Sequence, residues 1–122
     1  MIQSKPLIDF LKEKQKAIGD IESSAAVCLE KGQIVEYKDL MYKKAEILAD
    51  LTDDALNFLR SIPQPEQDEI KSELNDFSIN ASEALELNST FYMSALLYPE
   101  DYKPGNPNNL EKFIAQLEKN IK

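Results

Sequence analysis

Histidine is absent from the 122 residues, cysteine occurs once as Cys28, and glycine occurs only as Gly19, Gly32 and Gly105. Without histidine, the Ser-His-Asp and Cys-His catalytic arrangements, the zinc-protease helix motif and the Glu-x-x-His ligands of di-iron bundles are excluded. One cysteine allows neither an intramolecular disulfide nor a thiolate cluster for zinc. Three scattered glycines form no phosphate-binding loop. These absences predict a protein that is not an enzyme and that uses no metal or cofactor.

Long apolar runs are also missing. No stretch approaches the roughly 18 apolar residues of a membrane span, and residues 1–6 lead into an amphipathic pattern without the apolar region of a signal peptide. The composition, 43% hydrophobic and 30% charged, is typical of a folded globular chain. We therefore expect one domain over residues 1–122, located in the cytoplasm.

Basic residues are scarce in the middle of the chain. Residues 50–86 contain ten acidic side chains against Arg60 and Lys71, and the net charge of the protein is -8. The sequence has no basic stripe, so we expect neither a nucleic-acid nor a membrane partner. The acidic middle could attract a basic partner, although such an excess on helices is more often a solvated face.

Helical periodicity dominates what is present. Glycine and proline divide the chain into four segments with apolar residues at spacings of three and four, at about 5–31, 33–62, 65–98 and 109–121. The second segment keeps its phase across residues 52–54 and is predicted to be one long helix. No strand-type alternation occurs. The pattern predicts an all-α fold, an antiparallel up-and-down helical bundle of three long helices and a shorter C-terminal helix.

Several helix ends are marked by local signals. Ser4 is suited to begin the first helix, and Gly32 is suited to end it. Asn108 followed by Glu111 resembles a capping box for the last helix, which we expect to include Ile121.

Three residues interrupt or close the apolar seams. Lys14 is expected to extend from the edge of a seam, and Cys28 is expected to be a small core residue. Asn88 is expected to hydrogen-bond inside the bundle, where leucine would be tolerated, and the alternative is that it binds a buried ligand.

Carboxylate pairs are the remaining candidates for acid-base chemistry. They lie mainly on polar helix faces, which gives them little reason to be catalytic. The Glu100 and Asp101 pair lacks the spacing of a calcium loop. The helical pairs are Asp50 with Asp53 or Asp54, Glu69 with Glu73, and Glu83 with Glu86.

Ile79, Met93 and Leu97 fall almost opposite the apolar seam of the third segment, at about 100° per residue. They are therefore predicted to form a second contact surface. Either residues 99–108 and the last helix cover that surface, or it remains open to a partner helix.

The stretch from Leu29 to Leu40, with Lys43-Lys44-Ala45-Glu46-Ile47-Leu48 after it, resembles the first helical hairpin of flagellar-type export chaperones. The resemblance covers roughly the first half of the chain, as its first helical hairpin, and identifies no functional residue. It implies a small, acidic, cytoplasmic helical bundle that holds an aggregation-prone secreted partner before export.

Taken together, these features predict a non-catalytic protein-protein interaction module, either an adaptor or an export-chaperone-like bundle. The first alternative is a self-associating structural or regulatory protein that forms a homodimer. The second is a small ligand-binding bundle or an enzyme that uses carboxylates or Asn88.

Overall fold

A computed structural model describes residues 5–119. Over these residues the chain forms helices and no strand, which confirms the all-α prediction. The expectations for Ser4 and Ile121 lie outside the described residues. The helices are α1 (Lys5–Glu30), α2 (Ile34–Ala49), α3 (Leu51–Leu59), α4 (Glu66–Glu86), α5 (Thr90–Ala95) and α6 (Asn109–Lys119).

The turn between α1 and α2 is closed by Gly32, as predicted. Gly32 has a φ of 73°, in the left-handed region that glycine adopts without a steric cost. Its N–H donates to the Leu29 carbonyl at 3.2 Å, and the Gln33 N–H donates to the Cys28 carbonyl at 2.8 Å. This pair of bonds is a Schellman motif, which satisfies carbonyls left free at the helix end.

The second segment is interrupted at Asp50, between α2 and α3, so the prediction of one continuous helix is wrong. The Ser78 hydroxyl of α4 accepts from the Thr52 N–H at 3.2 Å and donates to the Leu48 carbonyl at 3.0 Å. In an uninterrupted helix that N–H and that carbonyl would bond to each other. The break therefore coincides with a side chain inserted into the helical ladder.

The third segment is also interrupted, at residues 87–89. Asn88 has a φ of 49°, and the N–H of Ser89 donates to the Ala84 carbonyl at 3.2 Å in a second Schellman motif. The Ser89 hydroxyl then caps α5 by accepting from the Tyr92 N–H at 3.1 Å. Asn88 is exposed, so the prediction that it lies inside the bundle is wrong. Asparagine tolerates this backbone, whereas leucine would be strained.

Over the residues that the structure describes, the core consists of two clusters of buried apolar side chains. The larger cluster joins all the described helices except α5, and its members include Leu11, Leu51, Leu74 and Leu110. The smaller cluster joins α1 and α2 to the end of α4 and to α5 through Ala25, Met41, Ala45, Ala84 and Met93.

α6 begins with the capping box that the sequence predicts. Asn108 Oδ1 accepts from the Glu111 N–H at 2.8 Å, and Glu111 Oε1 accepts from the Asn108 N–H at 2.9 Å. The Asn109 N–H also donates to the Leu97 carbonyl at 2.9 Å, which ties the start of α6 to the chain that leaves α5.

None of the helices within residues 5–119 combines the length and the apolar character that a membrane crossing requires.

Candidate functional site

The three residues predicted as a partner surface do not form one surface. Ile79 is 54% exposed, whereas Met93 and Leu97 are 1% and 6% exposed. Met93 lies in the smaller core cluster, and Leu97 lies in the larger cluster with residues of α6 such as Leu110. The prediction extended the phase of α4 past residue 88, but the left-handed turn there resets the helix direction.

A group of polar side chains around the buried Lys44 is a site that the sequence did not predict. Lys44 is 1% exposed, and its Nζ lies 3.0 Å from Glu22 Oε2. The same Nζ donates to the Ser94 carbonyl at 3.0 Å and lies 5.0 Å from the centroid of the Tyr98 ring. The Tyr98 hydroxyl donates to Glu22 Oε1 at 2.7 Å. These contacts connect α1, α2 and the chain around α5.

The ionisation of this group follows from burial. Burial lowers the pKa of Lys44, while the charge and the hydrogen bond of Glu22 oppose that shift. Burial also raises the pKa of Tyr98, and its hydrogen bond to Glu22 acts in the same direction. Since Lys44 is enclosed and its charge is paired, a substrate has no access to its amine. The arrangement is suited to joining helices.

The other candidate residues from the sequence do not come together in one site. Cys28 is half-buried, so it is not the core residue we expected, and Lys14 is half-buried with its Nζ 5.5 Å from the centroid of the Phe10 ring. The proposed carboxylate pairs on α4 and near residue 50 are exposed. Within residues 5–119, no group of three or more histidine, cysteine, aspartate and glutamate side chains could hold a metal ion.

A groove between α4 and α6 is a recessed surface with residues from several helices. No Cα atom of α4 lies within 8 Å of one in α6, but Phe77 and Phe113 meet between them, with ring centroids 6.0 Å apart. Three depressions follow the groove, with volumes of about 360, 310 and 460 Å³. They are adjacent, because the first and second share Phe113 and the second and third share Leu97.

The α4 wall of the groove carries an acidic stripe, which we define as Glu69, Glu73, Asp76 and Glu83. All four side chains are exposed and line the depressions. In the described part of the chain, no lysine or arginine nitrogen lies within 4.0 Å of these carboxylates. Like charges three or four residues apart on a helix destabilise it by a few tenths of a kcal/mol per pair. The stripe is therefore an unneutralised negative wall.

The opposite wall is close to neutral. α6 contributes Asn109, Lys112 and Gln116 to the same depressions, so Lys112 is the one charged side chain that this helix places there. Because four carboxylates and one lysine line the three depressions, the groove as a whole is negative.

One end of the groove is apolar. Leu87 and Tyr92 line the same depression and are 64% and 52% exposed. Phe91 is 74% exposed and packs edge-on against Tyr92, with ring centroids 5.6 Å apart. We call Leu87, Phe91 and Tyr92 the apolar end, and it lies beyond Glu83, the last residue of the acidic stripe.

The sequence contained a signal for the groove. With Asn80 and Leu87, the acidic stripe follows spacings of four and three residues, one position before the core residues of α4. The predicted carboxylate pairs, such as Glu83 with Glu86, leave out Asp76 and therefore do not reveal this continuity. No sequence pattern indicates that α6 forms the opposite wall, because tertiary packing decides which side of α4 lies beside α6.

No match to a family model, to a curated protein or to a solved structure was found for this chain.

Proposed function

We propose that this protein is a non-catalytic protein-protein interaction module that binds a segment of another protein in the groove between α4 and α6. The observation that supports this proposal is the combination of a recessed apolar floor, an unneutralised acidic stripe and an exposed apolar end. Grooves between helices are a common binding surface for peptide segments.

The floor and the rim have the chemistry that a docking surface needs. Phe77 and Leu96 are half-buried in the floor, so a partner side chain would remove apolar surface from water there. Polar groups surround the floor on both walls, as they do at the rims of protein interfaces. A catalytic role has no comparable support, because the buried Lys44 is enclosed and the carboxylates are exposed.

We further propose that the helices form an antiparallel up-and-down bundle, and that the protein acts as an adaptor or an export-chaperone-like factor in the cytoplasm. Short connections at residues 31–33 and 60–65, with extensive packing of α1 on α2, support the antiparallel arrangement. The single Cys28 is consistent with a reducing compartment. The resemblance of residues 29–48 to export chaperones suggests an aggregation-prone secreted partner.

The proposal is tested by selecting peptides that bind the full chain from a random display library. The peptides in the library are unbiased in charge and in length. The binding site is then mapped with Asn80→Trp, which places a bulky side chain at a position that two of the depressions share. We expect peptides to be enriched and their affinity for Asn80→Trp to fall at least tenfold.

Ser82→Trp is the matched control, because Ser82 is also exposed on α4 but lines none of the three depressions. Its affinity for the selected peptides should equal that of the unchanged protein. A library that yields no binder, or binders that tolerate Asn80→Trp, would contradict the proposal.

Self-association is the second candidate function, and the exposed Phe91 and Tyr92 of the apolar end favour it. Light scattering at two protein concentrations distinguishes it from the first. A mass that stays at 13.9 kDa at both concentrations excludes a homodimer.

A further inference from the structure

We propose that the occupant of the groove is an amphipathic helix from another protein, with one basic side chain per turn facing the acidic stripe. A bulky apolar side chain near the end of that helix would contact the apolar end of the groove. This inference rests on the proposed function and specifies the chemistry of the partner.

The spacing of the acidic stripe favours a helical partner over an extended one. Glu69, Glu73 and Asp76 are four and three residues apart, which is about 6.0 and 4.5 Å along the axis of α4 with an average of about 5.3 Å per turn, and Glu83 follows Asp76 two turns later. A partner helix presents one side chain per turn at intervals of about 5.4 Å, so its side chains stay aligned with the turns of α4 along the stripe. Same-face side chains of an extended segment recur at about 6.7 Å and lose register within a few steps.

The charge of the groove favours a basic partner. The four carboxylates of the stripe have no cation within 4.0 Å among the described residues, and Glu69 and Glu73 repel each other across one helical turn. Lysine or arginine side chains from a partner would replace this repulsion with attraction. Opposing surfaces of complementary charge also accelerate association and select the partner.

The apolar end determines where the basic stripe of the partner stops. Leu87 is the C-cap residue of α4 and follows Glu83 by four residues, and Tyr92 lines the same depression. A leucine, phenylalanine or methionine one turn beyond the last basic residue of the partner would cover these side chains. Burial there adds an attraction that salt does not screen, whereas the contacts with the stripe weaken as salt increases.

The test compares three synthetic peptides of about 18 residues, a length that covers the stripe and the apolar end when helical. The first has lysines at alternating spacings of four and three residues and leucines on the adjacent face. The second has the same composition and helicity, with the lysines distributed around the helix. The third has the lysine pattern of the first and central prolines that prevent a helix. Affinities are measured by fluorescence anisotropy with the full chain.

We expect the first peptide to bind at least tenfold more tightly than the other two, and to lose affinity as salt is raised. Its affinity should fall at least fivefold for the variant Glu73→Gln/Asp76→Asn. The matched control is Glu36→Gln/Asp39→Asn on α2, since these exposed residues have the same types, spacing and charge but lie away from the groove. The control variant should bind as the unchanged protein does. Circular dichroism verifies that both variants fold.

Equal binding of the first and second peptides would overturn the inference, because the positive charge of the peptide would then be sufficient whatever the spacing of its lysines. Equal binding of the proline peptide would indicate an extended occupant and would overturn it as well. If library peptides without a basic stripe occupy the groove, the inference fails while the proposed function stands. If no peptide of either kind binds, both fail.

Discussion

At the scale of single residues, Lys44 shows how this small domain accommodates a charge in its interior. Lysine is among the side chains least often found buried, yet Lys44 is enclosed because Glu22, the Ser94 carbonyl and the Tyr98 ring satisfy its ammonium group. Tyr98 completes the arrangement by donating to the second oxygen of Glu22. The cost of burying the ammonium group is therefore offset only while Glu22 is present, whereas Glu22 itself is partly exposed.

This dependence predicts that Glu22→Gln is more destabilising than Lys44→Met. Glutamine at position 22 leaves a buried ammonium group without its counter-charge, which should cost about 3 kcal/mol of unfolding free energy at neutral pH. Methionine at position 44 removes the cation, while the carboxylate of Glu22 keeps its hydrogen bond from Tyr98 and part of its access to water. Lys44→Met should therefore lower the free energy of unfolding by less than Glu22→Gln does.

Urea denaturation of the two variants and of the double variant measures the difference. The double variant should recover part of the stability lost in Glu22→Gln, since it contains no unpaired buried charge. A larger loss for Lys44→Met than for Glu22→Gln would show that packing of the lysine stem, rather than its charge, dominates at this site.

At the scale of helices, a hydroxyl from α4 decides where α2 ends and α3 begins. Ser78 Oγ bridges the Leu48 carbonyl and the Thr52 N–H, and the Thr52 hydroxyl lies 2.9 Å from the same oxygen. All of these groups are buried, so each needs a partner inside the protein. The apolar stripe of the second segment continues across the break, which is why periodicity alone indicated one helix.

Ser78→Ala should therefore lower the free energy of unfolding by about 1–3 kcal/mol, because it leaves a buried N–H and a buried carbonyl without their shared partner. Ser82→Ala is the control, since Ser82 is exposed on the same helix and should change stability by less than about 0.5 kcal/mol. Chemical denaturation measures both values. If Ser78→Ala matches the control, the two backbone groups have bonded directly and α2 and α3 have become one helix.

At the scale of the whole molecule, the end of the third segment belongs to the core rather than to a surface. Met93 joins α5 to the smaller cluster, and Leu97 joins the following chain to the larger one. Leu97 has a φ of 77°, and its carbonyl accepts from the Asn109 N–H at the start of α6. These contacts fix the position of α6 and therefore the width of the groove beside α4.

Replacement of Met93 or Leu97 by serine should lower the free energy of unfolding by about 2–4 kcal/mol for each residue, because each change leaves a cavity and introduces a buried hydroxyl. The melting temperature should fall, and the mass in solution should not change. Ile79→Ser, at a site that is 54% exposed, is the control and should change stability by less than about 0.5 kcal/mol. Equal melting temperatures for all three variants would show that Met93 and Leu97 are not core residues.

The sequence by itself determined the features that depend on a few neighbouring residues. Helical periodicity indicated the all-α class, Gly32 ended α1, and Asn108 with Glu111 began α6. The two helix ends rest on hydrogen bonds or steric limits within about five residues of chain, and the apolar period that indicates helix is itself a property of the sequence.

Tertiary structure decided the features whose partners are distant along the chain. The break at Asp50 requires Ser78, the burial of Lys44 requires Glu22 and Tyr98, and the groove requires α6 to lie beside α4. The left-handed turn at Asn88 is built from local bonds, but it redirects α5 and so places Met93 and Leu97 in the core. Periodicity specifies which face of a helix is apolar, whereas the packing of the helices specifies which remaining face is left open to bind a partner.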